Sequence, residues 1–385
     1  MEAVDGLVVD GLHRMILYCA FASNKSANLH IFTVFEKKIT LKEGEILNHR
    51  FTLIPGDGIG PEISEAAVRV ITASGVKIDW EVVDGGMTAL HKYHDPLPQE
   101  LLDSVARNKI ALKGPLTTPV GKGFRSVNVA LRKEFDLYSN LRPAKTFQGV
   151  KTVHIDHLDI VIVRENLEEF YSGIEHYIDS SRSAAETIGI VTKRGCERIV
   201  KFAFEYAKKH NRKKVTAVHK ANIMKFTGGI FLNTAEEIAV NYPDIKFEDK
   251  IVDNMAMQMV MNPHQFDVIV TTNLFGDILS DLASGLVGGL GLAPGANIGD
   301  GIAVFEAVHG SAPDIAGQNI ANPSAIILAS VMMLDHVGES NAAARIEQAV
   351  ASVIAKGKTV TRDLNHQNFV GTKEFADAVI NELEK

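Results

Sequence analysis

Short β-branched runs alternate with longer amphipathic segments along most of this chain, and that alternation limits the fold more than any other feature. Strands are expected over residues 51–54, 78–83, 110–112, 159–163, 215–218 and 268–271. Helices are expected between or after them, over 62–73, 98–107, 195–209, 229–240 and 341–355. In the first helix, Pro61 stands at the start, and Ile63, Ala66, Ala67 and Val70 recur at the spacing of one helical face. The pattern predicts an α/β fold with a largely parallel sheet. A further strand is expected over 38–41, ahead of a Glu43-Gly44 turn. No repeat, low-complexity tract or linker interrupts the chain, so any two domains share chain crossings rather than a tether.

Composition excludes several classes. With 385 residues, 46% of them hydrophobic and 23% charged, the chain is long enough for two or three packed units and is not disordered. A net charge of −7 gives no broad cationic surface, so no nucleic-acid partner is expected. Two cysteines, Cys19 and Cys196, make neither a disulfide framework nor a cysteine-based zinc site, and point to a reducing compartment. The longest apolar stretches, 15–22 and 325–334, are too short to span a membrane. Arg14 precedes the first of them, but Glu2, Asp5 and Asp10 are wrong for the basic start of a targeting peptide. Residues 1–36 read as an extension of unknown role, with Met15 as a competing start. A cytoplasmic location is expected, with the mitochondrial matrix as the alternative.

Gly56-Asp57-Gly58-Ile59-Gly60 follows a strand and precedes a helix, as a dinucleotide fingerprint does. Its third glycine comes one residue early, so a tight strand-to-helix turn is the better reading. Gly114 to Lys122 superficially suggests a phosphate loop, but Gly123 stands where Ser or Thr is required. Arg132, Arg142 and Arg164 lie beside turns or strand ends. Such arginines usually form surface ion pairs; converging, their bidentate forks would suit a substrate with several carboxylates. Ser126 and Asn128 would then add neutral, directional groups. Asp277 and Asp281 are spaced i, i+4, which puts both carboxylates on one helical face. A first-turn place for Asp277 would suit the helix dipole alone. With Asp253 the pair offers hard oxygen donors for Mg²⁺ or Mn²⁺. The 14 histidines show no HExxH spacing, so a histidine zinc site is not expected. Lys220 closes a strand, where a lysine is normally solvated but beside a divalent ion could act as a base. Tyr171 has an ordinary core reading as well as a chemical one.

Taken together, these strings resemble the isocitrate/isopropylmalate (β-decarboxylating) dehydrogenase family, most closely its NAD-dependent isocitrate-oxidising members. The resemblance runs from about residue 37 to the end. It rests on the glycine turn with Pro61-Glu62, Lys113 to Pro143, Tyr171 to Glu175, Val218 to Lys225, Gly276 to Asp281 and His309 to Gly317. It implies a non-Rossmann α/β fold: a large domain from 37–137 and 288–385, with a smaller dimerisation domain, 138–287, inserted between. It implies a homodimer, higher oligomers being possible, with active sites shared across the interface.

The roles it implies are specific. Ser126 and Asn128 would meet the substrate's γ-carboxylate, and Arg132, Arg142 and Arg164 its other carboxylates. Tyr171 would be the general acid, and Lys220 of the second copy would stand on the base side. Asp277, Asp281 and the second copy's Asp253 would hold the metal. Thr118, Asn222, Glu306, His309, Gly310, Ser311, Ala312, Pro313, Asp314, Ile315 and Asn322 would line the cofactor site. The implied reaction is oxidation and decarboxylation of isocitrate to 2-oxoglutarate. Asp314-Ile315 replaces the lysine and tyrosine with which NADP-dependent relatives hold a 2′-phosphate; an aspartate repels that phosphate, so NAD is expected. Arg362 and His366 stand where those relatives carry a tyrosine and an arginine. Homoisocitrate dehydrogenase, 3-isopropylmalate dehydrogenase and a regulatory subunit of a hetero-oligomeric enzyme are the alternatives. The polar Ser126/Asn128 pair argues against an isopropyl substrate, and the intact chemical set argues against a regulatory subunit.

Overall fold

The computed structural model describes residues 49–118, 126–152 and 157–385. The expected strand at 38–41, the extension 1–36, Cys19 and the Lys122-Gly123 stretch lie outside them. Ten strands make one sheet: β1 (His49–Ile54), β2 (Ile78–Val82), β3 (Ile110–Lys113), β4 (Ser139–Lys145), β5 (Asp159–Glu165), β8 (Lys214–His219), β9 (Lys246–Ile251), β10 (Val268–Thr271), β11 (Pro294–Ile298) and β12 (Ala303–Ala307). β6 (Glu169–Tyr177) and β7 (Ala185–Ile190) form a separate antiparallel hairpin.

The strand order is β2-β1-β3-β12-β11-β4-β5-β10-β8-β9. The two flanks are parallel, as expected, but the centre is not: β11 runs antiparallel to β12 and β4, and β4 antiparallel to β5. The β11–β12 reversal is a short hairpin through Gly299 and Gly301, which needs no crossover helix. Each expected helix forms within a few residues of its expected bounds; the one beginning Lys193–Lys209 is capped by the Thr192 hydroxyl, which accepts from the Gly195 amide at 3.0 Å. The apolar stretch near 325 lies in the helix Ser324–His336, whose first seven residues are all buried, so it is a core helix. Among the described residues no helix is long and apolar enough to cross a membrane.

This topology decides where chemistry can sit. In α/β sheets, ligands bind beyond the carboxyl ends of parallel strands. Lys113 ends β3, Thr271 ends β10 and Lys220 follows β8, while Arg164 and Glu306 lie one residue from the ends of β5 and β12. Register then sets neighbours: Glu306 pairs with Lys113, and Arg164 with both Asn140 and Thr271.

Candidate active site

The glycine turn after β1 is a tight corner rather than a dinucleotide loop. Gly56 and Gly58 have φ of 80° and 59°, and a Cβ on Gly58 would lie 1.9 Å from the Ser311 carbonyl oxygen. Asp57 between them accepts from the amides of Met87, Thr88 and Thr117 at 2.7–3.0 Å. The Thr117 and Ser311 hydroxyls are bonded at 2.7 Å. The turn thus locks the segment ending at Thr118 to the loop His309–Ile315, two stretches expected at the cofactor site.

Beside it is a cavity of about 500 Å³ lined by His309, Gly310, Ala312, Ile315 and Asn322, together with Arg362, Asp363 and His366. Asp363 accepts from the Asn322 side chain at 2.8 Å and fixes its amide. Burial lowers the His309 pKa, so its imidazole is held neutral. Asp314 is exposed on the turn Pro313–Ile315 between two lining residues, but does not itself line the cavity, and neither does Ser311, Pro313 or Thr118. Asn222 lies just after β8, away from these contacts.

The arginines converge, each from a different element. Arg132 lies in the last turn of the helix Val127–Glu134, Arg142 stands in β4 and Arg164 in β5. Glu306 lies beneath them, 2.6 Å from the Lys113 ammonium, 3.5 Å from Arg132 and 2.6 Å from the Asn297 amide. Burial alone would raise this carboxyl; Lys113 and Arg132 outweigh it and bring it down to about 2. Glu306 is therefore an internal counter-ion, 7% exposed beside the arginines.

Asp277 is in the second turn of the helix Asn273–Leu286, not the first, so the dipole does not explain it. It pairs with Arg164, lies 3.6 Å from Arg142 and accepts from the Tyr171 hydroxyl at 2.6 Å. Asp281 is 3.4 Å from Arg142. Despite burial, Arg164, Tyr171 and Arg142 hold the Asp277 pKa below the usual value. Burial and the bond to Asp277 raise Tyr171, so its phenol keeps its proton. Burial and then the other arginines depress Arg142 and Arg164, the latter to about 10. The Nε atoms of Arg132 and Arg142 are buried with no partner. This is a cationic site short of anions.

Ser126 caps the helix Val127–Glu134, accepting from the Val129 amide at 3.4 Å, and Asn128 carries a buried side-chain oxygen without a partner. Both stand at a helix N-terminus, where an anionic group is favoured. Lys220 and Asp253 pair with each other instead of joining Tyr171 and Asp277. Among the described residues no three His, Cys, Asp or Glu side chains gather as a metal site. One chain therefore assembles two of the three expected metal ligands and leaves the third apart, on the helix Val252–Met261.

A family described as isocitrate/isopropylmalate dehydrogenase matches residues 50–379. The chain belongs to that family. It is 57% identical to the isocitrate dehydrogenase of Methylococcus capsulatus, whose crystal structure superposes with a TM-score of 0.85 over 88% of this chain and 100% of that one. A mitochondrial NAD isocitrate dehydrogenase catalytic subunit (subunit 5) of Arabidopsis thaliana is 49% identical over 86% of this chain and 88% of its own length. A chloroplastic 3-isopropylmalate dehydrogenase of Solanum tuberosum is 50% identical over 80% and 86%.

In this family member three supporting side chains escaped sequence reasoning. Lys113 neutralises Glu306. Asn297 bonds Glu306 and also receives the amides of Asn140 and Asn166 at 2.9 and 3.0 Å. Asn273 accepts from Arg164 Nε and Nη2 at 3.1 and 2.8 Å. Lys113 opens one of the strings that carried the resemblance, and Asn273 lies just ahead of another; Asn297 had no local signal.

Proposed function

We propose that this chain is the catalytic polypeptide of an NAD-dependent isocitrate dehydrogenase, converting isocitrate to 2-oxoglutarate and CO₂. One observation carries the reading: Arg132, Arg142 and Arg164 gather at one place, with Arg142 and Arg164 depressed by burial and by their arginine neighbours and with the Nε atoms of Arg132 and Arg142 buried without partners, a charge arrangement that calls for a small polycarboxylate. Ser126 and Asn128 at the adjacent helix start suit a further carboxylate better than an apolar isopropyl group.

The donor set of Asp277 and Asp281, on successive turns of one helix and both partly exposed, fits a hard divalent ion, with Asp253 of a second copy as the third ligand. When bound, Mg²⁺ or Mn²⁺ would supply the Lewis acid that polarises the C2 oxygen, and NAD⁺ in the His309 cavity the hydride acceptor. Lys220 of the second copy takes the C2 hydroxyl proton. Tyr171, kept protonated, returns a proton to C3 after CO₂ leaves. The arginines orient the two carboxylates not met by Ser126 and Asn128, the departing one among them. Asp314 beside the cavity favours the unphosphorylated ribose of NAD.

The two-lobed reading, with 138–287 as the smaller dimerising part, accords with five of the ten sheet strands falling inside that range and five outside. The compartment proposed is the cytoplasm, with the mitochondrial matrix as the alternative, which the mitochondrial Arabidopsis relative favours. Initial rates with Mn²⁺ test the whole. Isocitrate turnover preferring NAD⁺ over NADP⁺ supports it. Preference for 3-isopropylmalate or homoisocitrate overturns the substrate. No turnover by folded, Mn²⁺-supplied protein replaces the reading with a regulatory subunit.

A further inference from the structure

Between Arg164 and Tyr171 the chain makes a turn rich in acids, and its first member has no part in the chemistry above. Glu165 is 4% exposed. Its carboxylate accepts from the backbone amides of Leu167 and Glu168, each at 2.9 Å, and from the Asn273 side-chain amide at 3.5 Å. The same Asn273 amide donates to the Glu168 carbonyl at 3.2 Å, while its oxygen holds Arg164. Glu169, at the far side of the turn, has φ of 59° and accepts from the Leu274 amide at 2.7 Å. The turn therefore clasps the N-terminus of the helix that carries Asp277 and Asp281, and Glu165 folds the turn.

We infer that Glu165 is a positioning residue: its buried carboxylate shapes the 165–169 turn, and through Asn273 sets the place of the Arg164 guanidinium and hence the affinity for the tricarboxylate substrate. The inference rests on the proposed function for the identity of that substrate. Every contact Glu165 makes is one it accepts, so its ionised form satisfies all three donors and its protonated form cannot. Burial pushes Glu165 up to about 7, against the pull of the Glu168 and Leu167 amides. The titratable groups around it are Glu168 and Glu169 on its own turn and Cys196 on the helix Lys193–Lys209. Burial, helped by these glutamates, raises the Cys196 thiol to about 12, so it stays neutral. None of the bonded groups is a cation. Glu165 therefore changes charge within the range where an enzyme works, and the turn is fully formed only above it.

The test is calorimetric binding of isocitrate to the full chain and to Glu165→Gln between pH 6.0 and 8.5, with KM and kcat measured alongside. Gln mimics the protonated acid. At pH 8.5 the variant should bind about fivefold more weakly, the worth of roughly one hydrogen bond, with KM following and kcat nearly unchanged. At pH 6.0 the two proteins should converge, because the wild type is then protonated too; the substrate's own titration cancels in the ratio. A ratio that does not vary with pH, or a loss of kcat at unchanged affinity, overturns the inference. Should Glu165→Gln fail to fold, Asn273→Ala carries the same test, since the affinity step near pH 7 must vanish when the link is cut from the other side. Isocitrate that binds without NAD⁺ reduction would sink the catalytic reading while the affinity ratios still judge Glu165. Wild-type protein that binds neither isocitrate nor 3-isopropylmalate overturns both.

Discussion

Glu306 and Gly276 illustrate how single residues set the geometry of this site. Glu306 is buried beside a Lys113 that is itself nearly inaccessible, so neither charge has water to fall back on. Removing one member of such a pair leaves the other stranded, and Glu306→Gln should cost about 3–5 kcal/mol in urea unfolding. The sign with pH is fixed by the shift: folded, Glu306 titrates near 2, below its ordinary 4.5. Its contribution is complete above about pH 4.5 and is lost as pH falls toward 2, so the variant's acid-unfolding limb should be shallower than the wild type's. Gly276 meets a steric demand. A Cβ there would lie 2.4 Å from Arg164 Cγ, in the middle of the side chain rather than at its mobile end. Gly276→Ala should displace the guanidinium and lower kcat/KM for isocitrate by about 10²-fold, with unfolding free energy changed far less.

At the scale of elements, the helix Asn273–Leu286 lacks a side-chain cap of its own and borrows one. Glu169 accepts from Leu274 at its N-terminus, placing a carboxylate where the helix dipole favours it. Glu169→Ala should cost about 1 kcal/mol of stability and, because Asp277 and Asp281 ride on this helix, raise the Mn²⁺ concentration needed for half-maximal activity. Elements free of functional side chains were plain in the sequence: β10 is a β-branched run closed by Thr271, and the helix Lys193–Lys209 has a strong apolar face behind a threonine cap. Of those bearing the site, β3 and β5 were also expected, but the three central strands were hidden by their own site residues. β4 contains Asn140, Arg142 and Pro143, β11 contains Asn297, and β12 contains Glu306, so none shows an uninterrupted strand pattern. Pro143 is tolerated because β11 pairs only with residues 139–141, leaving Pro143 beyond its reach. β9, an edge strand with Lys246, Glu248, Asp249 and Lys250, looks like solvated surface by composition. The same logic covers the site. Clustered arginines and paired aspartates announce themselves, whereas Lys113, Glu165 and Asn273 acquire meaning only through long-range contacts.

For the whole molecule, the distribution of exposed apolar side chains is lopsided. Apart from Val82, Tyr93 and Phe369, every large hydrophobic exposed among the described residues lies between positions 170 and 278. They stud the β6–β7 hairpin, the segment around Ile223 and Phe226, and the helix Val252–Met261; Phe226 is 88% exposed. Exposed apolar side chains in such number are what a dimer interface would bury. Lys220 and Asp253 stand in this same region, paired with each other and outside the contacts of Tyr171 and Asp277. If a second copy docks here and completes the site, each active centre draws Tyr171 from one chain and Lys220 from the other. Two variants, Tyr171→Phe and Lys220→Ala, should then each be almost inactive alone. Mixed under conditions that exchange subunits, half of the dimers are hybrids, and each hybrid has one centre with both wild-type groups and one with neither. About a quarter of wild-type activity should therefore return. An active site contained within one chain gives no recovery on mixing, so isocitrate-dependent NAD⁺ reduction in the mixture decides between the two architectures. Phe226→Asp supplies the converse: if each centre needs the lysine and aspartate of a second copy, the folded variant should sediment as a monomer and lose turnover.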